Sequence, residues 1–142
     1  MIHTFTNDPY KWLSNMQLVD ISLKGRIYPS VEHAYMSEKS HDAVWKELCT
    51  KKEISGKQIK VFSRTINLRV DWEDVKLLVM EHCLREKFKQ EPFKQGLLDT
   101  GNQNIQEGNY WNDAFWGVDL KQDPNVGENH LGRLIMKIRY EI

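Results

Sequence analysis

The apolar pattern that begins at Asp71 constrains the fold of this chain most strongly. Asp71 can cap a helix there, with Asp74 as an imperfect capping partner. Eight apolar residues then recur at helical spacing on two adjoining sides: Leu77, Met80, Leu84 and Phe88 on one, and Val75, Leu78, Val79 and Cys83 on the other. So wide an apolar arc predicts a central, mostly buried helix.

The remaining elements are predicted to be short. Two extended segments around Lys24-Gly25, residues 17–23 and 26–28, predict a small hairpin. Shorter helices are predicted over 31–40, 43–49, 54–64, 92–98 and 130–140. The segment from Asn102 to Asn129 has no sustained period and is predicted to be a long loop, which in a compact domain is usually functional or disordered. Its three aromatic residues, Trp111, Phe115 and Trp116, argue against disorder.

Length and charge narrow the class of protein. A chain of 142 residues predicts one domain over 1–142. The 20 basic residues balance the 20 acidic ones, so no net positive charge favours bulk binding to nucleic acid or to a membrane. Cys49 and Cys83 are isolated thiols, and no membrane span or signal peptide is recognisable. We therefore expect a cytoplasmic protein with no membrane partner.

The stretch from Tyr28 to Lys39 carries the first candidate site. Pro29 ends an extended segment, and Ser30 can accept hydrogen bonds from the first amides of the following helix. On that helix Glu32 and Lys39 lie on one face, so that an acid and an amine could act on one substrate. The alternative is that Glu32 only favours the helix dipole and that Lys39 points into water.

A second polar and aromatic cluster lies far along the chain, at residues 112–117 and 127–132. We expect the two clusters to form two walls of one site. Asp113 could be a catalytic acid, an acceptor for a ribose hydroxyl or the cap of a turn. His33 and His130 are expected to pack or to cap.

Two further segments pair aromatic with polar residues. The turn from Trp12 to Asn15 precedes the hairpin and could be a loop anchored by its tryptophan. Arg69 and Trp72 lie at the start of the main helix, where an anion is favoured. They could bind a nucleobase or a phosphorylated ribose; equally, Asp71 could occupy the anion position and Trp72 belong to the core.

The chain lacks the known nucleophile, phosphate-loop and dinucleotide motifs, and its histidines and acids lack metal-ligand spacing. We therefore expect no cofactor and no metal. The acid, amine and aromatic groups suit hydrolysis of a glycosidic or similar bond, and they also suit plain nucleotide binding.

Several motifs occur together in an order that resembles the NADAR family, whose bacterial members include the YbiA-like N-glycosidases. The likeness covers nearly the entire chain. Its blocks are Trp12-Leu13-Ser14-Asn15, Ser30 to Tyr35 with Lys39, Arg69 to Trp72, Val79-Met80, Lys87-Phe88, Leu97 to Gly101, Glu107, Asp113 with Phe115-Trp116-Gly117, and Asn129 to Gly132 with Leu134 to Arg139.

The resemblance implies an α+β, mainly α-helical domain that cleaves an N-glycosidic bond in a ribosylated or ADP-ribosylated substrate. By motif it assigns catalysis to Glu32, Lys39 and Asp113. By the same transfer, the substrate-binding residues are Trp12, Asn15, Arg69, Trp72, Trp116 and Asn129.

Two routes fit these groups. In one, either Glu32 or Asp113 orients a water molecule and the other stabilises the positive charge on the ribose. In the other, an acid opens the ring and Lys39 forms a Schiff base with the exposed carbon.

The chain departs from the family pattern at Lys11-Trp12, where Gly-Phe is usual, and at Met36-Ser37, where Gln-Ala is common. These changes bear on substrate identity more than on activity. The implied substrates are guanine-linked ADP-ribose, free or in nucleic acid, and a phosphorylated ribosylamino-pyrimidine of riboflavin synthesis. The alternative function is a non-catalytic module that binds ADP-ribose or a nucleotide.

Overall fold

The computed structural model describes all 142 residues, which divide into two compact units. The first unit comprises Met1–Ser14 and Phe88–Ile142, and the second comprises Asn15–Lys87. The prediction of a single domain stays a prediction. No helix in the structure has both the length and the apolar character needed to cross a membrane.

The second unit opens with the predicted hairpin. Strands β1 (Leu18–Leu23) and β2 (Arg26–Ser30) pair antiparallel, with Ile21 opposite Tyr28. Lys24 and Gly25 both have positive φ, at 49° and 85°, which a tight turn between twisted strands requires. The hairpin brings Ser30 directly to the start of the next helix.

Helix α1 (Val31–Ser37) begins at the predicted cap, where Ser30 Oγ accepts the His33 N–H at 3.1 Å. Every residue of α1 is buried. The helix packs against the hairpin and against α3 (Gly56–Phe62). It ends before Ser40, the predicted limit, so Lys39 follows the helix rather than belonging to it.

Two further helix caps also join residues that are close together in the sequence. Asp42 accepts the Val44 N–H at 2.8 Å and starts α2 (Ala43–Leu48) as predicted. Ser55 and Gln58 form a reciprocal capping box at the start of α3. A short 3₁₀ turn, Ser63–Thr65, follows α3.

Helix α4 (Trp72–Phe88) confirms the long predicted helix, but its buried surface is narrower than expected. Met80, Cys83 and Leu84 are fully buried, whereas Leu78 is 71% exposed. Residues two apart on a helix point in nearly opposite directions, so Leu78 cannot share the side of Met80. Lys87 is completely buried on this helix.

The first unit contains α5 (Phe93–Asp99) and α6 (His130–Glu141), both near their predicted limits. A short 3₁₀ turn, Lys11–Leu13, lies near its N-terminus. The intervening segment is largely irregular, as predicted, except for two parallel two-residue strands, β3 (Gly108–Asn109) and β4 (Val118–Asp119). Strands this short leave no periodic signal. The expected mainly α-helical α+β architecture with a small hairpin is confirmed.

Candidate active site

Glu32 lies in the first turn of α1 and is only 7% exposed. Its N–H donates to the Asn15 carbonyl at 3.0 Å, which fixes the start of the helix. The first residue of α3, Gly56, borders its side chain, since an added Cβ there would lie 3.3 Å from Glu32 Cβ and Cγ. The main chain of Glu32 is therefore fixed at the start of the helix, and its side chain is bordered by a residue without a side chain.

Lys39 follows α1 and is partly buried. Its carbonyl accepts the Arg69 N–H at 2.8 Å. Burial lowers the pKa of Lys39; the charge of Glu32 opposes this shift, while the charges of Lys60 and Lys76 add to it. A lowered pKa increases the fraction of neutral, nucleophilic amine at neutral pH.

Asn15 belongs to the same unit and has an unusual side chain. Its Nδ2 lies 3.6 Å from Met80 Sδ, a weak contact, and its Oδ1 is buried without a hydrogen-bond partner. A buried carbonyl oxygen without a donor is costly, typically about 1–3 kcal/mol. This atom is suited to accept a hydrogen bond from a ligand.

The contacts of Arg69 and Trp72 are those expected of residues that stabilise the fold. The guanidinium of Arg69 donates to both oxygens of Asp71, at 2.6 and 2.9 Å, and to Glu38 at 3.2 Å. Trp72 is 5% exposed and packs on Tyr35 with ring centroids 5.1 Å apart. Their assignment to substrate binding stays a prediction.

Glu38 is a buried charge that the sequence did not reveal. It is 1% exposed and receives hydrogen bonds from Lys24 at 3.1 Å, Lys46 at 3.0 Å and Arg69 at 3.2 Å. Burial by itself would raise the pKa of Glu38, but Lys46 and Lys24 outweigh it and the pKa is lowered. Its three partners come from distant segments, so no local motif marks the cluster.

His33 and Lys87 are two further buried titratable groups of this unit. His33 Nδ1 lies 2.6 Å from Ser30 Oγ and Nε2 lies 2.6 Å from the Ile54 carbonyl, so the ring joins two segments. Burial lowers the pKa of His33, which favours the neutral ring and the predicted packing role. Burial also lowers the pKa of Lys87, to about 7, which makes it a second amine with altered acidity.

Asp113 lies in the first unit and folds its own loop. Its Oδ1 accepts the N–H groups of Phe115 at 3.1 Å and Trp116 at 2.9 Å, which is the predicted capping of a turn. Oδ2 has no hydrogen-bond partner within the chain. One oxygen is thus structural, and the other has capacity for a substrate or water.

Asn109 holds Asp113 in place, although sequence analysis did not select it. It is 0% exposed, and its Oδ1 accepts the N–H groups of Trp111 at 3.3 Å and Asp113 at 3.0 Å. Its Nδ2 donates to the Asp113 carbonyl at 2.8 Å and to Glu107 Oε2 at 3.2 Å. An asparagine in an irregular segment is a signal for such local bonding, but it does not say which backbone groups are bonded.

Asn129 and Trp116 border the same loop. The side chain of Asn129 accepts the Glu107 N–H at 3.0 Å and donates to the Ile105 carbonyl at 2.9 Å, so both ends of its amide bind main chain. The ring of Trp116 packs edge-on against Phe115, with centroids 5.0 Å apart. Asn129 is thereby a clamp on the loop, and its substrate-binding assignment stays a prediction.

The structure groups the candidate residues within each unit. In the second unit, Asn15 contacts Glu32 through the main chain, Lys39 contacts Arg69 in the same way, and Trp72 packs nearby on Tyr35 of α1. In the first unit, Asp113 contacts Trp116 directly, and Asn129 donates its N–H to Gly117 at 3.2 Å. Trp12 lines a cavity beside α5. The expectation that all nine residues form one site stays a prediction.

A family model for the NADAR domain matches residues 3–142. The chain belongs to the NADAR family. This confirms the resemblance to the family that the sequence blocks indicated.

Named relatives and a solved structure agree with this placement. The N-glycosidase YbiA of Escherichia coli is 31% identical over 141 residues, covering 96% of this chain and 84% of its own length. The solution NMR structure of Escherichia coli YbiA matches this NADAR domain with a TM-score of 0.80 and 30% identity, covering 99% of this chain and 86% of that one.

In one longer relative, the matched region is only part of the protein. A riboflavin biosynthesis protein of Vibrio vulnificus is 32% identical over 139 residues, which cover 96% of this chain. The chain spans only 36% of that protein's length. The activity of the whole Vibrio protein therefore does not transfer directly to this domain.

Proposed function

We propose that this NADAR domain is an N-glycosidase that hydrolyses the bond between a nitrogen and C1 of a ribosylated or ADP-ribosylated substrate. The observation that carries the proposal is the buried carboxyl group of Glu32, coupled electrostatically to the partly buried amine of Lys39 within one unit. Relatives named as N-glycosidases support it.

Glu32 is proposed as the general acid and base. A carboxyl group that first protonates and then deprotonates its neighbours typically contributes about 100- to 10,000-fold to the rate. The main-chain hydrogen bond to Asn15 at the start of α1 fixes the backbone that carries this carboxyl group. The unpartnered Oδ1 of Asn15 is proposed to accept a hydrogen bond from the substrate.

Lys39 is proposed as the nucleophile. Once the ribose ring has opened, its amine adds to C1, and the bond from C1 to the departing nitrogen breaks as a proton passes to that nitrogen. Water then hydrolyses the lysine imine and restores the amine. The burial that lowers the pKa of Lys39 supports this route over one in which Glu32 and Asp113 only orient water and stabilise charge.

Two substrates are proposed: guanine-linked ADP-ribose, free or in a DNA strand, and a phosphorylated ribosylamino-pyrimidine. The name of the Vibrio relative supports the second. We further propose a cytoplasmic location, which the two free buried thiols, Cys49 and Cys83, support.

The decisive experiment compares hydrolysis of both substrates by wild type, Glu32→Gln and Lys39→Arg. We expect turnover on at least one substrate, loss of about 100-fold or more in Glu32→Gln, and a similar loss in Lys39→Arg. The matched controls are Glu73→Gln and Lys60→Arg. Both residues carry charges that shift the pKa of Lys39, and neither has a proposed catalytic role.

Borohydride trapping separates the two routes. Reduction during turnover should leave a ribosyl adduct on Lys39 in wild type, and peptide mapping should find none in Lys39→Arg. Turnover without an adduct, together with full activity of Lys39→Arg, would establish the water route. An adduct on Lys87 would assign the nucleophile to the other lysine of lowered pKa.

The second candidate function is a non-catalytic module that binds ADP-ribose or a nucleotide. The aromatic cavity that contains Trp12 favours ligand binding as such. Absence of turnover on both substrates, together with tight binding of ADP-ribose, would establish this function.

A further inference from the structure

A cavity of about 490 Å³ lies wholly within the first unit. This volume falls in the range typical of small-molecule sites. Three aromatic residues line it, Tyr10, Trp12 and Phe93, and none of the proposed catalytic residues does. The cavity therefore needs an explanation apart from the hydrolytic chemistry.

The indole of Trp12 is fitted closely against α5. A Cβ added at Gly96 would lie 3.0 Å from Trp12 Cη2 and 3.3 Å from both Cζ2 and Cζ3. Glycine inside a helix destabilises it relative to alanine. The close approach of the ring accounts for the glycine, so the indole has a defined place in the cavity wall.

Two polar side chains of the cavity have hydrogen-bonding capacity left. The Gln103 amide makes no hydrogen bond within the chain, and Asp99 uses only Oδ1, which accepts from Gln95 Nε2 at 2.8 Å. The Thr100 hydroxyl, by contrast, donates to main chain at 2.6 Å and accepts from Arg139 at 2.9 Å. The wall thus offers one amide and one carboxylate oxygen beside aromatic faces.

The combination of a glutamine amide, a carboxylate and aromatic faces fits adenine better than guanine. A glutamine amide forms paired hydrogen bonds with N6 and N7 of adenine, and a carboxylate can accept from the same exocyclic amine. Guanine presents acceptors, O6 and N7, at the corresponding edge, where a carboxylate would repel it. Aromatic faces stack on either base, so the polar groups supply the preference.

We infer that the cavity lined by Trp12, Phe93 and Gln103 binds the adenine ring of a nucleotide. The ring stacks on the aromatic wall, and Gln103 and Asp99 bond its edge. This inference rests on the second candidate function, nucleotide binding, and deepens it by naming the base that is bound; it does not depend on hydrolysis.

Isothermal titration calorimetry of the full chain with AMP and GMP tests the inference. Wild type should bind AMP about tenfold or more tightly than GMP. Trp12→Leu should weaken AMP binding about tenfold through lost stacking. Gln103→Leu should weaken it similarly and reduce the preference for AMP over GMP, and because Gln103 is exposed this variant should fold normally.

Trp111→Leu is the matched control, since Trp111 is a half-exposed tryptophan outside the cavity, and its AMP affinity should equal that of wild type. Circular dichroism confirms that each variant is folded. Absence of AMP binding to wild type, equal affinity for AMP and GMP, or an affinity unchanged in both cavity variants would overturn the inference. Since no turnover is measured, each result is independent of the proposed N-glycosidase activity.

Discussion

Helix α1 and the irregular segment from Asn102 to Asn129 each carry a candidate catalytic carboxyl group, but the two groups have different structural roles. Glu32 is positioned by main-chain bonding, with its N–H on the Asn15 carbonyl. Asp113 positions the loop itself, because its Oδ1 accepts two N–H groups. Substitution of Glu32 should therefore report on chemistry, whereas substitution of Asp113 affects chemistry and folding together.

The largest expected effect on activity comes from substituting Glu32 on helix α1. Glu32→Gln should lower kcat/KM by about 100-fold or more, with only a small change in melting temperature, because glutamine matches glutamate in size and the main-chain contacts persist. Activity and thermal melts measured together check this. A melting temperature lowered by more than several degrees would show that Glu32, like Asp113, supports the fold, and the contrast would fail.

Substitution of Glu38, which follows helix α1, tests how much the stability of this region depends on a buried charge. Glu38→Gln removes the carboxylate from three cations and should destabilise the protein by about 3 kcal/mol, measured by urea unfolding. Glu47→Gln is the matched control: Glu47 is 61% exposed and pairs with Lys51, so its loss should cost under about 1 kcal/mol.

The effect of Glu38 should also depend on pH. Its folded pKa is below the ordinary value of 4.5, so the carboxylate stabilises the folded state above pH 4.5. That contribution is lost as the pH falls through the lower folded pKa. The difference in unfolding free energy between wild type and Glu38→Gln should therefore shrink in acid, and a difference that stays constant with pH would contradict the role of the charge.

Substitution of Asn109 provides the corresponding test for the loop that carries Asp113. Asn109→Ala removes the side chain that bonds the backbone of Trp111 and Asp113, and should cost about 2 kcal/mol. Asn102→Ala, at an exposed position, should be neutral. Equal stability of the two variants in urea unfolding would mean that side-chain bonding does not hold the loop.

Among the side chains expected to support the fold, Asp113 should have the smallest effect on stability, smaller than Glu38 or Asn109. Asp113→Asn retains an oxygen for the N–H groups of Phe115 and Trp116, so its stability should match wild type, whereas Asp113→Ala should cost about 1 kcal/mol. If Asp113 is catalytic, Asp113→Asn should still lose activity. A fully active Asp113→Asn would assign the residue to folding alone.

Short-range features were accurate in sequence analysis. The caps at Ser30 and Asp42 and the turn at Lys24-Gly25 all occur as predicted, because the groups that bond lie within a few residues. The expected burial of Leu78 was wrong, since the apolar pattern gave no means of choosing the helix face that packs.

Long-range polar groups were largely missed. Glu38 is paired with Arg69 and Lys24, and Asn109 is buried by its own loop, although neither belongs to a periodic pattern. Arg69 and Trp72 were selected as substrate-binding candidates, yet their contacts equally fit the structural alternative. Which role a polar side chain takes depends on partners far away in the chain.

The sequence by itself determined the family and the order of the helices and the hairpin, and it supplied the candidate site residues, because motifs, caps and periodicity are local properties. Only the tertiary structure decided burial and bonding. Burial lowers the pKa of Lys39 and leaves Asn15 Oδ1 without a donor, and the packing of distant segments forms the cavity beside Trp12. These properties depend on desolvation by residues distant along the chain, which no local pattern records.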